Sequence, residues 1–326
     1  VHKHLPLLHR YTALRKELLG LDEMHMYDMY TPLVKNSSFE MPYEEAKDWM
    51  VKALQPMGQT YIDVVEEGLN NRWVDVYENK GKRSGGYSSG AHLTNPFILL
   101  NWTDSISDLF TLIHEFGHSA HSYFSRKHQQ SNESDYSIFV AEVASTTNEA
   151  LLSEYMDKNL DDPEKRKYLL NQELERFRAT LFRQTMFAEF EYLIHKIVED
   201  GEPLTADRLN SEYAELNKKY FGDAVVTDEN IAKEWSRIPH FYYNFYVYQY
   251  ATGYSAAQAL SKQILEEGEP AVERYINEFL KAGSSDYPIE VLKKAGVDMT
   301  SKQPIEEAME VFEQKLNAFE KLVKEK

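Results

Sequence analysis

The hydrophobic residues recur mainly with the period of a helix. From residue 5 to residue 19 they return every three or four positions, as on one face of an amphipathic helix. From about residue 104 onward the same period holds almost throughout the chain. Prolines, glycines and capping residues mark the ends of the predicted helices. These helices are 5–19, 43–70, one from Thr103 or Ser105 past His121, 138–156, 163–199 as one helix or two, 205–220, 244–267, 270–281 and 303–326.

The segment 72–102 departs from this period. Apolar and polar residues alternate over 73–77, a Gly/Ser-rich stretch follows at 81–90, and a short apolar run at 97–100 is bounded by turn-forming residues. These features predict a small β-sheet with a glycine-rich turn. We therefore predict a mainly α domain over 1–326, made of a helical lead-in (1–70), a small β-element (71–102) and a helical body with the active site (103–326).

Composition narrows the class of protein. No window approaches the roughly 18 uninterrupted apolar residues of a membrane span, and the first residues lead into no signal-like apolar stretch. We expect a soluble, cytoplasmic protein with no membrane partner. The chain has no cysteine, which excludes disulfides, thiolate ligands and a cysteine nucleophile. A metal site in this chain must therefore use His, Asp and Glu.

The charge balance argues against one further class of partner. The formal net charge is −17, and no stripe of Lys and Arg stands out along the chain. Binding to nucleic acid needs basic residues concentrated on one face, because they must neutralise phosphates. We do not expect nucleic acid as a partner.

One short motif carries the chemistry of a metal site. The run His114, Glu115, Phe116, Gly117, His118 lies within a predicted helix. Residues four apart lie on the same side of a helix, so both imidazoles can point at one ion. Glu115 is rotated by about 100° from His114. Its carboxylate is therefore predicted to reach a water on the metal, as a general base does, and not the metal itself.

Zinc is the natural ion for two imidazoles and a carboxylate, with water as the fourth ligand. The pKa of that water falls to about 7, so a hydroxide-like nucleophile becomes available near neutral pH. We expect one Zn²⁺ per chain.

The third protein ligand is chosen partly by elimination. The metzincin class would need Gly at 121 and His at 124, but the chain has His121 and Phe124. His121 lies about 10 Å along the helix from His114, too far for one ion, so we expect it to pack or to support a ligand. The remaining solution is a glutamate on or near the next helix. The candidates are Glu133, Glu142, Glu149 and Glu154.

Glu142 is the preferred candidate because its neighbours are apolar. It lies within the run 139–144, where an unpaired carboxylate would be costly to bury and a metal ion would offset the cost. Glu149 lies seven residues later on the same face. It can support a ligand histidine through a hydrogen bond, or it can be a solvated residue of the helix face.

Two segments resemble the oligoendopeptidase F branch of the thimet-oligopeptidase-like zinc metallopeptidases. They are LIHEFGHSAH at 112–121 and FVAEVAS at 139–145. In that family the glutamate of the second segment completes the zinc site, and this implies His114, His118 and Glu142 as ligands. The resemblance also implies a zincin-type multi-helix catalytic domain with a small sheet before the motif helix.

Two further segments extend the resemblance. NKGKRSGGYS at 79–88 is similar to a glycine-rich stretch that borders the substrate cleft in the family, which implies Gly86 and Tyr87 as substrate-binding residues. The structural alternative for this stretch is a simple hairpin turn. The family's C-terminal catalytic portion accounts for the matched segments, and we expect its large helical N-terminal region to be absent from this chain.

The segment HFYYNFYVYQY at 240–250 is similar to the family segment that supplies a histidine and tyrosines opposite the zinc. Such donors stabilise the oxygen that becomes negative when a peptide carbonyl is attacked. The resemblance implies Tyr248 as the donor, His240 as its partner and Tyr250 as a substrate-binding residue. Tyr246 or Tyr250 could take the place of Tyr248, and aromatic core packing is the alternative for most of these rings.

The leading hypothesis is a zinc endopeptidase that cleaves internal bonds of short peptides. Glu115 would activate the water, and a tyrosine and a histidine would stabilise the oxyanion. One alternative is a dipeptidyl carboxypeptidase on a similar helical fold. Another is a zinc-binding, peptide-binding module without catalysis, although a purely structural site usually closes with four protein ligands and needs no base.

Overall fold

The computed structural model describes residues 1–34 and 39–324. Within them the chain is mainly helical, with short strands and 3₁₀ or π segments between the helices. The α-helices are α1 Leu5–Leu19, α2 Tyr43–Leu54, α3 Gln59–Asn70, α4 Ile106–His128, α5 Ile138–Asn159, α6 Pro163–Phe177, α7 Arg183–Glu199, α8 Ala206–Phe221, α9 Tyr248–Glu267, α10 Glu269–Arg274, α11 Pro288–Lys294 and α12 Gln303–Lys324. The strands are β1 Met24–His25, β2 Val74–Asp75, β3 Tyr87–Ser89, β4 Phe97–Leu99 and β5 Val225–Val226. None of the helices in these ranges has the length and apolar character needed to cross a membrane.

The described residues group into two compact units. One unit contains residues 1–34, 167–252 and 309–324, and the other contains 39–166 and 253–308. The second unit carries the 114–118 motif and Glu142, whereas His240 and the tyrosines around it belong to the first. The assignment of 1–326 to one domain stays a prediction.

Three predicted helices differ from the structure at their ends or interiors, and the segment 163–199 takes the two-helix alternative. The segment 43–70 forms two helices, because Pro56 and Gly58, with φ +75°, fall between α2 and α3. The segment 163–199 is divided by a π-helical segment, Arg178–Phe182, and 270–281 ends in another, Tyr275–Leu280. The helix predicted from 244 begins only at Tyr248. Each break is a local change of backbone geometry that hydrophobic period alone does not report.

The predicted β-element is a three-stranded sheet that precedes α4. Its strand order is β2-β4-β3, with β2 parallel and β3 antiparallel to the central strand β4. Ser88 of β3 is hydrogen bonded to Ser119 of α4, with 2.8 Å between the hydroxyl oxygens. The sheet therefore lies against the helix that carries the histidine motif, whereas the sequence predicts only its position before that helix.

The core of the second unit forms around α4 and α5. Leu109, Leu112, Ile113 and Phe116 recur at helical spacing on α4 and are almost completely buried. On the other side of α4, His114 and His118 stay partly accessible. One face of α4 therefore packs in the core, and the other face carries the histidine motif at the surface.

The first unit encloses both aromatic and charged side chains. Phe190 of α7 and Tyr213 of α8 meet edge to face, with 5.1 Å between ring centroids. The buried carboxylate of Glu234 accepts hydrogen bonds from Arg183 at 2.8 Å and from Tyr213 at 2.7 Å. A charge buried in this way is tolerated because donors surround it.

Candidate metal centre

The register of α4 is fixed where the helix begins. Ser105 is the N-cap, and its hydroxyl accepts from the Asp108 amide at 3.2 Å, while the Asp108 carboxylate accepts from the Ser105 amide at 3.0 Å. Burial acts to raise the pKa of Asp108, but hydrogen bonds from Ser105 and Thr103 outweigh it and lower the pKa. This reciprocal capping defines the first turn of the helix that places His114 and His118.

Three atoms form a compact triangle at the surface of α4 and α5. His114 Nε2 and His118 Nε2 lie 3.2 Å apart, and each lies 3.3 Å from Glu142 Oε2. Zinc binds N and O ligands at about 2.0–2.1 Å, so tetrahedral ligands are separated by about 3.3–3.4 Å. The donor set and its spacing fit a zinc ion.

In the part of the chain that the structure describes, these three side chains are the one group of His, Asp or Glu residues close enough to share an ion. The predicted ligands are therefore brought together from two helices, 24 residues apart at their nearest. Glu115 is outside this group, as its position on the helix predicts.

The other ring nitrogen of His114 is held by Glu149. His114 Nδ1 donates to Glu149 Oε1 at 2.5 Å, which leaves the Nε2 lone pair available to a metal ion. Burial acts to lower the pKa of His114, but hydrogen bonds to Glu142 and Glu149 raise it to about 10. Hydrogen bonds from the two histidines likewise outweigh burial and hold the pKa of Glu142 far below its usual range. A metal ion that displaced the Nε2 protons of the histidines would lie near the same carboxylates, Glu142 and Glu149.

Replacing Glu149 with alanine is expected to weaken zinc binding about 10- to 100-fold, because His114 loses the partner that sets its tautomer and orientation. Titration of the purified protein against a competing chelator measures the affinity. Glu154→Ala, which removes a carboxylate from the same helix outside the metal group, is the control and should keep wild-type affinity. Equal affinity of Glu149→Ala and the wild type would contradict this role.

Glu142 is oriented by its own helix. The Ser145 hydroxyl donates to Glu142 Oε2 at 3.1 Å. The side chain of Glu142 is 45% exposed, so the burial cost expected from its apolar neighbours is only partial, and the two histidines offset it. Val143 and Ala144 point into the core while Glu142 points out between the histidines. Its role as a metal ligand stays a prediction, and its place on the accessible face of α5 supports that role.

Gly117, between the two histidines, was not recognised as functional from the sequence. A Cβ at this position would lie 2.4 Å from Ser145 Cα and 2.8 Å from the Ala144 carbonyl oxygen. Glycine therefore lets the backbones of α4 and α5 meet, which brings Glu142 and Glu149 within reach of His114. The available signal was a glycine in a helix interior, where it costs about 1 kcal/mol relative to alanine unless packing requires it.

Glu115 is held beside the triangle. Its side chain is buried, and the backbone N–H of Ser88 in β3 is close enough to act to lower its pKa. Burial raises the pKa of the Glu115 carboxyl, and this effect exceeds the opposing influence of His114, His118 and Ser88. The sheet thus places a backbone N–H near the predicted general base.

The glycine-rich stretch packs on the same helix. A Cβ on Gly86 would lie 2.7 Å from Thr111 Cγ2, so the backbone of this stretch approaches α4 closely. Tyr87 follows at the start of β3 and is exposed. The substrate-binding roles of Gly86 and Tyr87 stay predictions.

His121 has a packing role. It is buried and stacks on Tyr136 with 3.6 Å between ring centroids. Burial lowers its pKa to about 3, with a smaller contribution from His118. A neutral histidine enclosed by aromatic rings agrees with the packing alternative considered for it.

The expected oxyanion residues lie in the first unit, on a 3₁₀ segment, Pro239–Tyr242, and at the start of α9. The His240 ring lies parallel to Tyr246 at 5.7 Å, and the Tyr250 hydroxyl is 3.4 Å from His240 Nε2. Tyr248 is exposed. The pairing of His240 with Tyr248, and the substrate-binding role of Tyr250, stay predictions; the observed hydroxyl contact favours Tyr250 as the partner of His240.

A family comparison accounts for nearly the whole chain. Residues 1–311 match the model of Peptidase family M3. The chain belongs to peptidase family M3. This membership confirms the resemblance carried by the motif segments.

Relatives of this M3 chain carry oligopeptidase names. It is 67% identical over 323 residues to oligopeptidase PepF of Bacillus subtilis, covering 99% of the chain and 48% of that protein. It is 50% identical to group B oligopeptidase PepB of Streptococcus agalactiae, covering 99% of the chain and 53% of that protein. The chain spans about half the length of the curated relatives it matches.

Solved structures agree with the M3 assignment. A putative peptidase from Chlamydophila abortus has a TM-score of 0.92 and 44% identity, covering 98% of the chain and 54% of that structure. Oligoendopeptidase-F from Enterococcus faecium has a TM-score of 0.78 and 46% identity, covering all of the chain and 51% of that structure. The predicted fold class, mainly α with a small sheet before the motif helix, is confirmed.

Proposed function

We propose that this M3 chain forms the catalytic part of a zinc endopeptidase that hydrolyses internal bonds of short peptides. The observation that carries the proposal is the triangle of His114, His118 and Glu142 with a buried carboxylate, Glu115, directly beside it. A purely structural zinc site has no need of such a carboxylate. The oligopeptidase and oligoendopeptidase names of the relatives support the substrate class.

The zinc ion would be held by His114, His118 and Glu142. Glu149 orients His114, and Ser145 orients Glu142. A zinc ion held by these residues would supply Lewis acidity for the hydrolysis of a peptide bond. The Glu115 carboxylate takes a proton from the attacking water and later gives it to the nitrogen of the leaving amine.

Negative charge develops on the carbonyl oxygen during the attack. A phenol or imidazole that donates to this oxygen stabilises the charge more than it stabilises the bound peptide. We assign this role to His240 and Tyr248, with Tyr246 and Tyr250 as the alternative tyrosines. The 3.4 Å contact between Tyr250 and His240 supports Tyr250 among these alternatives.

Two peptides of one sequence, one with free ends and one acetylated and amidated, distinguish the possible activities. We expect the zinc-loaded protein to cleave the same internal bond in both, with products identified by mass spectrometry. Chelation should abolish cleavage, and added zinc should restore it. Cleavage of the free peptide alone, two residues from its C-terminus, would indicate a dipeptidyl carboxypeptidase. Stoichiometric zinc without cleavage of either peptide would contradict the proposal.

A further inference from the structure

The segment 240–250 is anchored to one face of α7. The ring of Phe241 packs on Phe187 and Phe190, with centroid distances of 5.3 and 5.2 Å. Phe187 and Phe190 are buried and lie three residues apart, so they share the helix face that meets this segment. The start of the segment is therefore fixed by apolar contact.

Phe245, in the middle of the segment, has a backbone conformation that large residues rarely adopt. Its φ is +52°, in the left-handed region where a Cβ crowds the neighbouring carbonyl. In the described ranges, three other residues besides glycine share a positive φ: Arg72, Leu93 and Asp104. Such a conformation persists only where surrounding groups hold it in place.

Glu191 of α7 holds this backbone. Its Oε1 accepts a hydrogen bond of 2.7 Å from the Phe245 amide, 54 residues further along the chain. The Glu191 side chain is 1% exposed. A carboxylate so buried is costly without a partner, and a hydrogen bond between an amide and a charged acceptor is stronger than one between neutral groups.

The next turn of α7 holds the side chain of the same residue. The ring of His195 lies 4.6 Å from the ring of Phe245. His195 Nδ1 in turn donates to the backbone carbonyl of Glu191 at 2.8 Å, which fixes the orientation of its ring. Backbone and side chain of Phe245 are thus held by residues four apart on one helix face.

The conformation at Phe245 determines where the following tyrosines point. Directly after it the Tyr246 amide donates to the Tyr243 carbonyl at 3.1 Å, closing a turn. This turn brings the Tyr246 ring parallel to His240 and 5.6 Å from the Tyr250 ring. A different φ at Phe245 would direct the chain, and with it Tyr246 and Tyr250, elsewhere.

We propose that Glu191 is a positioning residue: it fixes the left-handed turn at Phe245 and thereby sets the arrangement of His240, Tyr246 and Tyr250. The catalytic consequence rests on the proposed function, in which this segment stabilises the oxyanion. Glu191 itself touches neither substrate nor metal in this role. Its effect passes entirely through the backbone amide of Phe245.

Two substitutions separate this role from simple burial. Glu191→Leu removes the acceptor and keeps much of the side-chain volume, whereas Glu191→Gln keeps an acceptor oxygen at the same distance. We expect Glu191→Leu to lower kcat about 100-fold, since a displacement of about 1 Å can cost that much. KM and zinc content should change little in Glu191→Leu. Glu191→Gln should keep most of the wild-type kcat. Glu234→Gln, at a buried carboxylate that binds Arg183 and Tyr213, is the control: it should lower Tm and leave kcat unchanged.

Amide hydrogen exchange of peptides covering 240–250 gives a readout that does not depend on activity. Exchange should be faster in Glu191→Leu and near the wild-type rate in Glu191→Gln. If Glu191→Leu does not fold, His195→Ala, at a partly exposed position, should show faster exchange in the same peptides. Wild-type kcat and exchange in Glu191→Leu would overturn the proposal. An equal loss of kcat in Glu191→Leu and Glu191→Gln would also overturn it. So would a wild-type exchange rate in His195→Ala. If the zinc-loaded wild type cleaves no peptide, the proposed function fails while the exchange comparison still decides the role of Glu191.

Discussion

Glu115→Ala is expected to bind zinc as tightly as the wild type and to turn over peptides about 10²- to 10⁴-fold more slowly. The size of the loss is that of a positioned general acid and base, the role that we propose for Glu115 in both halves of the reaction. Zinc should remain because Glu115 lies outside the group formed by His114, His118 and Glu142. This variant therefore tests the role of Glu115 in proton transfer independently of zinc binding.

Zinc content by elemental analysis and kcat on a blocked peptide are the two measurements for this variant. Glu133→Ala is a suitable control, because it removes an exposed carboxylate between α4 and α5 and should change neither quantity. Turnover near the wild-type rate in zinc-loaded Glu115→Ala would exclude Glu115 as the base. Loss of zinc together with turnover would instead make Glu115 part of the metal site.

Gly117→Ala is expected to disrupt the metal centre although it adds only a methyl group. That methyl would lie 2.4 Å from a backbone atom of Ser145, and no side-chain rotation can relieve the clash. The helices α4 and α5 must then separate, which moves Glu142 and Glu149 away from His114. Overpacking of this kind costs about 1–3 kcal/mol in stability. Zinc affinity should fall at least as far as in Glu149→Ala, because a ligand and its support are displaced together.

Urea unfolding and chelator competition test this expectation. Gly253→Ala is the matched control, because the nearest atom to its new Cβ is Val143 Cγ2 at 3.9 Å. Exchanging a helical glycine for alanine without a clash should raise stability by about 0.5–1 kcal/mol and leave zinc binding unchanged. Similar behaviour of the two variants would mean that the close approach at Gly117 does not hold the site together.

Prediction from the sequence succeeded best where the relevant geometry is local. His114 and His118 share one side of a helix because of their spacing, and Ser105 caps that helix because its side chain reaches an amide three residues away. The small sheet before α4 was visible in alternating residues and turn formers. Breaks such as Gly58 and the late start of α9 were missed, since a hydrophobic period continues across a short change of backbone geometry.

Predicting that Glu142 lies beside the two histidines required more than the local spacing of residues. Elimination and family resemblance both indicated this residue, and its side chain, 45% exposed, is less buried than its apolar neighbours suggested. Burial depends on which face of α5 meets α4, and one helix considered by itself does not determine that. The contact at Gly117 settles it in the folded protein.

The sequence by itself determined the helical class, the pair of histidines, the position of Glu115 beside them and the family. Only the tertiary structure decided which distant residues support the functional side chains. The Ser88 amide lies near Glu115, the Glu149 carboxylate binds His114, and the Glu191 carboxylate binds the Phe245 amide. The physical reason is distance along the chain. Helical period and capping act over three or four residues, whereas these interactions join residues 27, 35 and 54 apart, and packing of whole elements brings them together.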